Sequence, residues 1–543
     1  MKKVEKSKRS AIWLVLPFSF LSLMSGPLQA QDTLQLVDQL FTKWNNATPG
    51  VAVAIERNGK IIYNKAFGLA DLEHNIPNTP ATIFEAGSVS KQFTAAAILL
   101  LAQEGKLSLD DDVRKYVPEL PVYDKPITIR NLMNHTSGLK DWGSVAALSG
   151  WPRTTRIYTH DLALQIICRQ TSLNFSPGSE YSYSNTGYTL MVIIVERITK
   201  GSFTEFTRTR LFEPAGMKNT RWRNNFREIV PGRSVAYRRR SGAYEQDMPF
   251  EHVHGNGGLL TTTEDLITWN HQLAKSTIGS DGMIKMRTQQ AVLTNGQTIA
   301  YAGGLVANNH NGFKEISHTG STAGYRAYLG WFPEKKIAIA LLSNDGTFSP
   351  GGVGSQVADI FLGKTPEPAL PKRTGINLPE ATLKKIAGSY RAIRIADAFT
   401  LRIENGKLMN QDRALTALHP DTLLLGRTYW TIKPNGQIFQ KTPIDTFTYV
   451  RVKASDVSPV YLKALTGTYH SDEADATWKI ELKEGVLWIN QIPPGSWKLE
   501  PAFYDGFFVD GEDLYEFKRN KKGAVVSLEV SVSRAERVVF RKQ

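Results

Sequence analysis

The 543-residue sequence is almost free of cysteine, because Cys168 is its sole example. No disulfide can therefore form within the chain, and the apolar run around Cys168 favours a small core residue over a nucleophile. The sequence also lacks a His-Glu-x-x-His zinc motif and a glycine-rich phosphate loop. His252 and His254 have a spacing compatible with two metal ligands, but no acidic or histidine cluster accompanies them. We predict a protein with no metal and no organic cofactor.

Long apolar runs are equally scarce. Residues 11–24 form a short one, which follows the lysine- and arginine-rich residues 2–9 and precedes a small residue, Ala30. This layout predicts a secretory signal peptide at residues 1–30, cleaved after Ala30, because the run is short for a membrane span. An uncleaved anchor is the alternative. We expect a periplasmic or secreted protein that meets the membrane only during export.

The charge balance is basic, with 65 lysine and arginine residues against 51 acidic ones and a formal net charge of +14. A basic excess suits an anionic envelope surface or acidic substrates, and solubility explains it equally well. The one tight basic run, residues 238–240, has no interleaved aromatic residues. We therefore expect no nucleic-acid partner.

A serine and a lysine three residues apart, Ser88 and Lys91, precede an apolar run that continues to Leu101. Positions i and i+3 share one face of a helix, so the Lys91 amine can reach the Ser88 oxygen. If burial keeps part of the Lys91 population neutral, this amine can accept the serine proton and activate the nucleophile. The same spacing recurs at Ser137 and Lys140, but in a turn-like stretch with no helix following, which makes that pair the weaker candidate.

A polar loop farther along the chain contains Tyr183 and Asn185. Its phenol can relay protons, and its amide can hold Lys91 and a substrate carbonyl. Taken alone, the loop is more typical of a polar turn before an apolar helix.

A second partner stretch is a strand end at residues 318–321, which reads His318, Thr319, Gly320 and Ser321. A hydroxyl and a glycine here let a substrate backbone lie along the strand edge. The backbone N–H groups of Ser321 and Ser88 can form an oxyanion hole. The alternative is an ordinary strand end that runs into a turn.

In this order, Ser-x-x-Lys, Tyr-x-Asn and His-Thr-Gly resemble the serine β-lactamase and penicillin-binding-protein superfamily, in the branch of class C β-lactamases, DD-peptidases, D-aminopeptidases and esterases. Stretches at 134–139, 211–217 and 255–262 are also similar to that branch. The resemblance implies Ser88 as acylated nucleophile, Lys91 as its proton partner and Tyr183 as a second general acid or base. It implies supporting or substrate-binding roles for Asn185, His318, Thr319, Gly320 and Ser321. No counterpart of the class A glutamate base is identified, so deacylation would rely on Tyr183 and Lys91.

The order of elements predicts the fold class. A few N-terminal strands, a long helical middle and strands returning near residue 342 predict one sheet built from both ends, with helices packed beside it and the nucleophile on a helix at the sheet edge. We expect an α+β, β-lactamase-like catalytic domain, an antiparallel sheet flanked by a helical subdomain, at residues 31–360. A helical segment is also predicted to begin at Leu107.

The C-terminal third contains an internal repeat. Residues 383–390 recur as residues 462–469, and each copy continues through short alternating segments. We predict a linker at 361–375 and two small antiparallel β-barrel-like domains at 376–453 and 454–543. This three-part order resembles D-aminopeptidases, whose final domain sends a loop into the catalytic cleft and favours substrates with a free amino terminus. Residues 503–513, rich in carboxylates and aromatics, are a candidate for such a loop, and a solvent-exposed hairpin tip is the alternative.

Together with the predicted signal peptide, the resemblance implies an exported serine hydrolase that forms an acyl-enzyme on Ser88 and cleaves an amide in small peptides containing D-residues. A carboxylesterase or a weak β-lactamase on the same site is the alternative. A low-turnover penicillin-binding sensor or scaffold is the alternative from another class. The expected partner is a small peptide, ester or β-lactam, and the oligomeric state is not fixed by the sequence. His318 in place of a third-box lysine leaves less positive charge for a substrate carboxylate, which favours an aminopeptidase or esterase.

Overall fold

The computed structural model describes residues 26–543 except 154, 276, 364–373, 443–445, 492 and 494. Most of the predicted signal peptide and of the predicted linker therefore lies outside the described residues. The predicted cleavage point after Ala30 falls inside the first helix, Gly26–Phe41. Within the described part of the chain, no helix combines the length and the apolar character needed to cross a bilayer.

The first unit of the chain mixes helices and strands. Its helices are α1 Gly26–Phe41, α2 Lys91–Gln103, α3 Ile129–Met133, α4 Trp142–Leu148, α5 His160–Cys168, α6 Asn185–Thr199, α7 Phe203–Thr207, α8 Glu213–Ala215, α9 Thr263–Ala274, α10 Asp281–Thr288 and α11 Pro350–Leu362. Its strands are β1 Val51–Arg57, β2 Lys60–Phe67, β3 Leu69–Asp71, β4 Ile76–Pro77, β5 Phe84–Glu85, β6 Arg221–Trp222, β7 Tyr237–Arg240, β8 Ala243–Gln246, β9 Leu259–Thr261, β10 Val306–His310, β11 Phe313–Thr322, β12 Tyr325–Phe332 and β13 Ile337–Ser343. Short 3₁₀ turns occupy Gly87–Ser90, Val113–Lys115 and Pro333–Lys335, and Arg208–Phe212 is a π turn.

The main sheet has the strand order β10-β11-β12-β13-β1-β2, all antiparallel. Strand β1 pairs with β13 from Val51 opposite Ser343, so both ends of the unit meet in the centre of one sheet. Asn58 and Gly59 turn β1 into β2 with φ of 54° and 79°, as a two-residue hairpin requires. The predicted α+β arrangement, a sheet built from both ends and flanked by helices, is confirmed.

The apolar faces of the sheet and of helix α2 explain why helices pack on the sheet. Strands β1 and β13 are buried along almost their whole length, because helices cover both faces of the sheet. Helix α2 is buried from Lys91 to Leu101, and it packs against α6. A helix that is apolar around its whole circumference lies in the interior, so the segment that begins with Ser88 leads into the interior of the first unit.

The helical segment predicted to begin at Leu107 is wrong. Only the 3₁₀ turn Val113–Lys115 is helical there. The Asp111 carboxylate accepts the Ser108 N–H at 2.8 Å, and the Asp112 carboxylate accepts the Arg114 N–H at 2.9 Å. Short acidic side chains compete for backbone N–H groups in this way and favour turns over helices.

Two all-antiparallel units follow, each introduced by a helix. The first contains α12 Glu380–Ile386, β14 Gly388–Ala392, β15 Ala398–Glu404, β16 Lys407–Asn410, β17 Arg413–Ala414, β18 Thr416–His419, β19 Thr422–Leu425, β20 Thr428–Ile432, β21 Ile438–Lys441 and β22 Thr446–Val452. The second contains α13 Pro459–Leu465, β23 Gly467–Ser471, β24 Ala476–Lys483, β25 Val486–Gln491, β26 Gly495–Phe503, β27 Gly506–Val509, β28 Asp513–Arg519, β29 Val525–Val532 and β30 Ala535–Lys542. Strands β14–β22 form a nine-stranded sheet, and β23–β30 close into a barrel. The prediction of two barrel-like units is confirmed.

The internal repeat has a physical counterpart in these units. The Tyr390 hydroxyl donates to the Ile386 carbonyl at 2.7 Å, and the Tyr469 hydroxyl donates to the Leu465 carbonyl at 2.7 Å. In each copy, the first strand thus returns its tyrosine to the carboxyl end of the preceding helix. There the phenol satisfies a carbonyl that the helix leaves without a partner.

The closed barrel packs directly on the first unit through buried polar contacts. Lys140, whose side chain is fully buried, pairs with Glu473 of the barrel at 2.9 Å and donates to Ser172 Oγ at 2.8 Å. Glu473 also accepts the Thr171 hydroxyl at 3.0 Å. Lys140 is the lysine of the second Ser-x-x-Lys spacing, so its ammonium is engaged between units and not with Ser137.

Candidate active site

Ser88 lies in the 3₁₀ turn that leads into α2. The first N–H groups of a helix have no partner within it, so the Ser88 N–H is available to a ligand. Gly87 has φ of +49°, and a Cβ there would stand 2.6 Å from the Ser321 nitrogen. Only glycine therefore lets the turn approach β11 this closely.

The Lys91 amine contacts three oxygens. It lies 3.1 Å from Ser88 Oγ, 2.9 Å from Asn185 Oδ1 and 2.6 Å from the Asn256 carbonyl. The side chain is fully buried. The serine and lysine thus meet as the spacing predicts, and the Asn185 side chain also accepts a hydrogen bond from the amine.

Electrostatics favour the neutral form of this amine. Burial lowers the pKa of Lys91 well below its usual value, and the positive charges of Arg153 and Arg534 lower it further, against the opposing effect of Asp141. A neutral amine has the lone pair that a general base needs. Lys91 is therefore suited to accept a proton from Ser88.

Tyr183 reaches the same centre from the loop before α6. Its hydroxyl is buried and lies close to Ser88, although outside hydrogen-bond geometry with any described residue. Burial raises the pKa of Tyr183, while the Ser88 hydroxyl and Arg534 lower it. The phenol is protonated at neutral pH, so in this state it is a proton donor for a leaving group.

The strand β11 supplies the second wall. Strand β10 pairs with β11 only as far as Ser317, so residues 318–322 have a free edge toward Ser88. A Cβ at Gly320 would lie 2.0 Å from the Ala86 carbonyl and 3.1 Å from the Ser88 nitrogen. This close approach brings the backbone of Ser321 next to that of Ser88, as an oxyanion hole needs. The predicted position of the nucleophile at the sheet edge thus corresponds to the part of β11 that β10 leaves uncovered.

His318 is uncharged at neutral pH. Burial lowers the pKa of His318 to about 4, with a further contribution from Lys91. Its Nδ1 lies 2.6 Å from the Thr319 carbonyl, and its Nε2 lies 3.0 Å from the Tyr301 hydroxyl. Because Tyr301 can donate only to an unprotonated nitrogen, these contacts place the proton on Nδ1.

A buried charge network supports the segment before Ser88. Glu85 accepts two hydrogen bonds from Arg223, at 2.8 and 3.1 Å, and both side chains are almost completely buried. Arg223 lies 3.7 Å from Glu251, which also pairs with Arg153. Buried ion pairs of this kind fix positions more than they add stability, and this one holds the segment that carries the nucleophile.

A cavity of about 750 Å³ opens over Ser88. Tyr183, Asn185 and all four residues of 318–321 line it. So do two residues of the closed barrel, Ser533 and Arg534, at the tip of the β29–β30 hairpin. The structure therefore brings the sequence-predicted site residues other than Lys91 to one cavity and adds a wall from the third unit. Lys91 lies behind this lining, in contact with Ser88.

The barrel segment that reaches this cavity differs from the one that the sequence indicated. Of the carboxylates in residues 503–513, Asp505 is bound by Arg519 through two contacts of 2.8 Å. Asp510 and Asp513 line a separate, adjoining cavity of about 610 Å³ between the barrel and residues 144–152. The catalytic cavity is reached by the 533–534 turn instead, and no local signal distinguishes that turn from the other hairpins of the barrel.

Two further residues of the cavity were missed by the sequence reasoning. The Asn256 side chain is buried and lines the cavity, and neither its oxygen nor its nitrogen has a partner among the described residues. Arg534 lies with its guanidinium 4.8 Å from the centre of the Tyr183 ring. Asn256 lies in one of the stretches that carry the resemblance, which is a signal that could have found it.

The other histidine candidates lie outside this cavity. His254 is buried, and its Nδ1 lies 2.9 Å from the His252 carbonyl. His160 Nε2 lies 3.1 Å from the His254 carbonyl. These contacts fit a packed polar cluster, and neither His252 nor His254 belongs to a group of side chains with metal-ligand spacing among the described residues.

A serine and a phenol that line one cavity, with a buried lysine amine beside the serine, lie on an antiparallel sheet with a helical subdomain. This arrangement defines the class of serine hydrolases that act through an acyl-enzyme. The Beta-lactamase family matches residues 35–358. The chain belongs to this family.

Similar curated proteins carry related names. The chain is 29% identical over 381 residues to penicillin-binding protein 4* of Bacillus subtilis, which covers 66% of this chain and 82% of that one. It is 28% identical over 342 residues to the D-aminopeptidase of Brucella canis, which covers 61% of this chain and 63% of that one. The match thus spans less than two thirds of the Brucella protein.

Solved structures show the same fold. The octameric penicillin-binding protein homologue from Pyrococcus abyssi aligns over 95% of this chain and 99% of its own, with 22% identity and a TM-score of 0.54. The D-amino acid amidase from Ochrobactrum anthropi aligns over 61% of this chain and 99% of its own, with 22% identity and a TM-score of 0.52. The first alignment includes the C-terminal units, and the second covers only about the length of the first unit.

Proposed function

We propose that this protein is an exported serine peptidase that forms an acyl-enzyme on Ser88 and cleaves an amide bond in small peptides containing D-residues. The observation that carries the proposal is the buried Lys91 amine, 3.1 Å from Ser88 Oγ and held by Asn185. The names of the Brucella and Ochrobactrum relatives support the choice of D-residue amides.

The chemistry follows from the positions of the groups. Ser88 Oγ attacks the substrate carbonyl and gives its proton to neutral Lys91. The N–H groups of Ser88 and Ser321 hold the oxyanion, and Tyr183 protonates the departing amine. Water then attacks the acyl-enzyme and gives its proton to the phenolate of Tyr183, while the Lys91 ammonium returns its proton to Ser88 Oγ as the acid product leaves.

A parallel turnover assay tests this function. N-acetyl-D-alanyl-D-alanine, D-alanine p-nitroanilide, p-nitrophenyl acetate and a chromogenic cephalosporin are offered to the purified protein and to Ser88→Ala. We expect amide turnover by the wild type, a covalent adduct seen by mass spectrometry, and neither in Ser88→Ala. Activity that persists in Ser88→Ala would refute the mechanism.

The same assay separates the alternatives. Turnover of the ester alone identifies an esterase, and turnover of the cephalosporin alone identifies a β-lactamase. A stable adduct without turnover of any substrate identifies a penicillin-binding sensor. Fractionation of the culture into medium, periplasm and cytosol, with detection of the processed chain in each fraction, tests export.

A further inference from the structure

The tip of the β29–β30 hairpin is fixed to the first unit by backbone atoms. The Arg534 carbonyl accepts the Asp141 N–H at 3.0 Å and the Asn174 side-chain amide at 3.2 Å. The Glu536 N–H donates back to Asn174 Oδ1 at 2.9 Å. Because the main chain makes these contacts, the Arg534 side chain is left to extend into the catalytic cavity.

The charge of Arg534 is uncompensated. No carboxylate among the described residues forms an ion pair with it, and its guanidinium lies over the Tyr183 ring at 4.8 Å. The neighbouring arginine of the cavity differs in this respect, since Arg153 is bound by both oxygens of Glu251. A half-buried guanidinium without a counter-ion is a ready site for an anion.

The carboxylate in the lining of the cavity is already bound by backbone groups of the protein. Asp141, the acidic residue that lines it, already accepts the N–H groups of Gly143, Ser144 and Asn185 at 2.6 to 3.1 Å. His318 supplies no charge at neutral pH. Asp141 and Arg153 are therefore engaged with protein groups, whereas the Arg534 guanidinium faces the cavity without a carboxylate partner among the described residues.

A second observation points to a ligand in the same place. Asn256 is 98% buried, lines the same cavity, and has an amide with no partner among the described residues. An unpaired buried amide costs stability unless a ligand satisfies it. A peptide group has the donor and acceptor that this amide needs.

We propose that Arg534, supplied by the barrel, is a specificity-determining residue that binds a free carboxylate of the substrate beside the scissile bond. This inference rests on the proposed function and narrows it to small peptides or depsipeptides with an anionic group near the bond that is cleaved. The guanidinium supplies the positive charge for a substrate carboxylate that the neutral His318 side chain does not supply. Two parallel N–H donors match a carboxylate.

The test compares two substrates that differ only in this charge, N-acetyl-D-alanyl-D-lactate and its lactamide. Both are esters, so acyl transfer is measurable even if the enzyme cleaves no amide, and failure of this inference is distinguishable from failure of the proposed function. We expect the wild type to favour the carboxylate at least tenfold in kcat/KM, equivalent to about 1.4 kcal/mol. In Arg534→Gln the two substrates become equal within about twofold, and Arg534→Lys retains part of the preference.

Arg326→Gln is the matched control, because Arg326 also lines the cavity but donates to the Ala323 and Tyr325 carbonyls at 2.7 Å. This variant should keep the preference. Hydrolysis of p-nitrophenyl acetate shows that each variant is folded. The inference is overturned if the wild type has no preference, if Arg326→Gln alone loses it, or if Arg534→Gln slows both substrates equally, which would mean that Arg534 acts only on Lys91.

Discussion

Removal of one partner from the buried pair Lys140–Glu473 should loosen the barrel from the first unit. The Lys140 side chain is fully buried and that of Glu473 is 11% exposed. Breaking a buried pair on one side costs about 3–5 kcal/mol, because it leaves a charge without its counter-ion. We expect Lys140→Met to lower the free energy of unfolding by about this amount.

The double variant Lys140→Met/Glu473→Gln removes both charges. It should lose less than the sum of the two single variants, by about 1–3 kcal/mol, since no isolated charge remains in the interface. Urea unfolding followed by tryptophan fluorescence, at fixed pH and salt, gives the three values. Arg169→Gln, which breaks the exposed pair with Asp475, is the control and should change stability by less than about 1 kcal/mol.

Enzymatic selectivity gives a second measure of the same perturbation. If the pair holds the β29–β30 hairpin in place, Lys140→Met should weaken the carboxylate preference while p-nitrophenyl acetate hydrolysis persists. Strictly additive losses in the cycle, or a single variant as stable as the wild type, would refute the reasoning that this pair is coupled.

Three further results are expected. Lys91→Met should slow acylation by about 10²–10⁴-fold in a stopped-flow ester assay; an unchanged rate would exclude Lys91 as the base. Gly320→Ala should lower kcat by about 10²–10³-fold, because its methyl group would push β11 from Ala86 and displace the Ser321 N–H; wild-type kcat would disprove this oxyanion hole. The pKa of His318 is about 4 in the folded chain, against 6.5 for the ordinary imidazole of the unfolded chain. Between pH 6.5 and pH 4 the unfolded chain therefore binds a proton that the folded chain does not bind. Stability should fall by about 3 kcal/mol from pH 7 to pH 4 through this residue, and a His318→Asn variant with the same pH dependence would contradict it.

Most of the fold could be predicted from local patterns in the sequence. The hairpin at Asn58 and Gly59, the apolar helix after Ser88 and the 79-residue repeat each depend on residues close together in the chain. The Ser88–Lys91 contact is also local, being one helical turn. The wrong prediction of a helix after Leu107 also has a local cause. The Asp111 and Asp112 side chains accept backbone N–H groups that would have to bond to backbone carbonyls in a helix.

The parts of the site that the sequence did not predict depend on packing between distant segments. Arg534 reaches Tyr183 only because the barrel docks on the first unit, and Lys140 meets Glu473 across 333 positions of the chain. Nothing near residue 534 distinguishes its turn from that at residues 503–513. Such contacts follow from how whole units pack, which short sequence patterns do not encode.

The pairing of β1 with β13 affects how the protein folds during its synthesis. The Gly50 N–H reaches the side chain of Asn344, 294 positions later, so the central strands of the sheet lie almost at opposite ends of the first unit. Closing so long a loop precedes any stabilising contact between these strands, which makes assembly of the sheet a slow, late event. A chain that has emerged only to residue 330 has Ser88 and Lys91 but no strand to complete the sheet beneath them. Nascent and truncated chains should therefore be inert toward acylating reagents until β13 has been made.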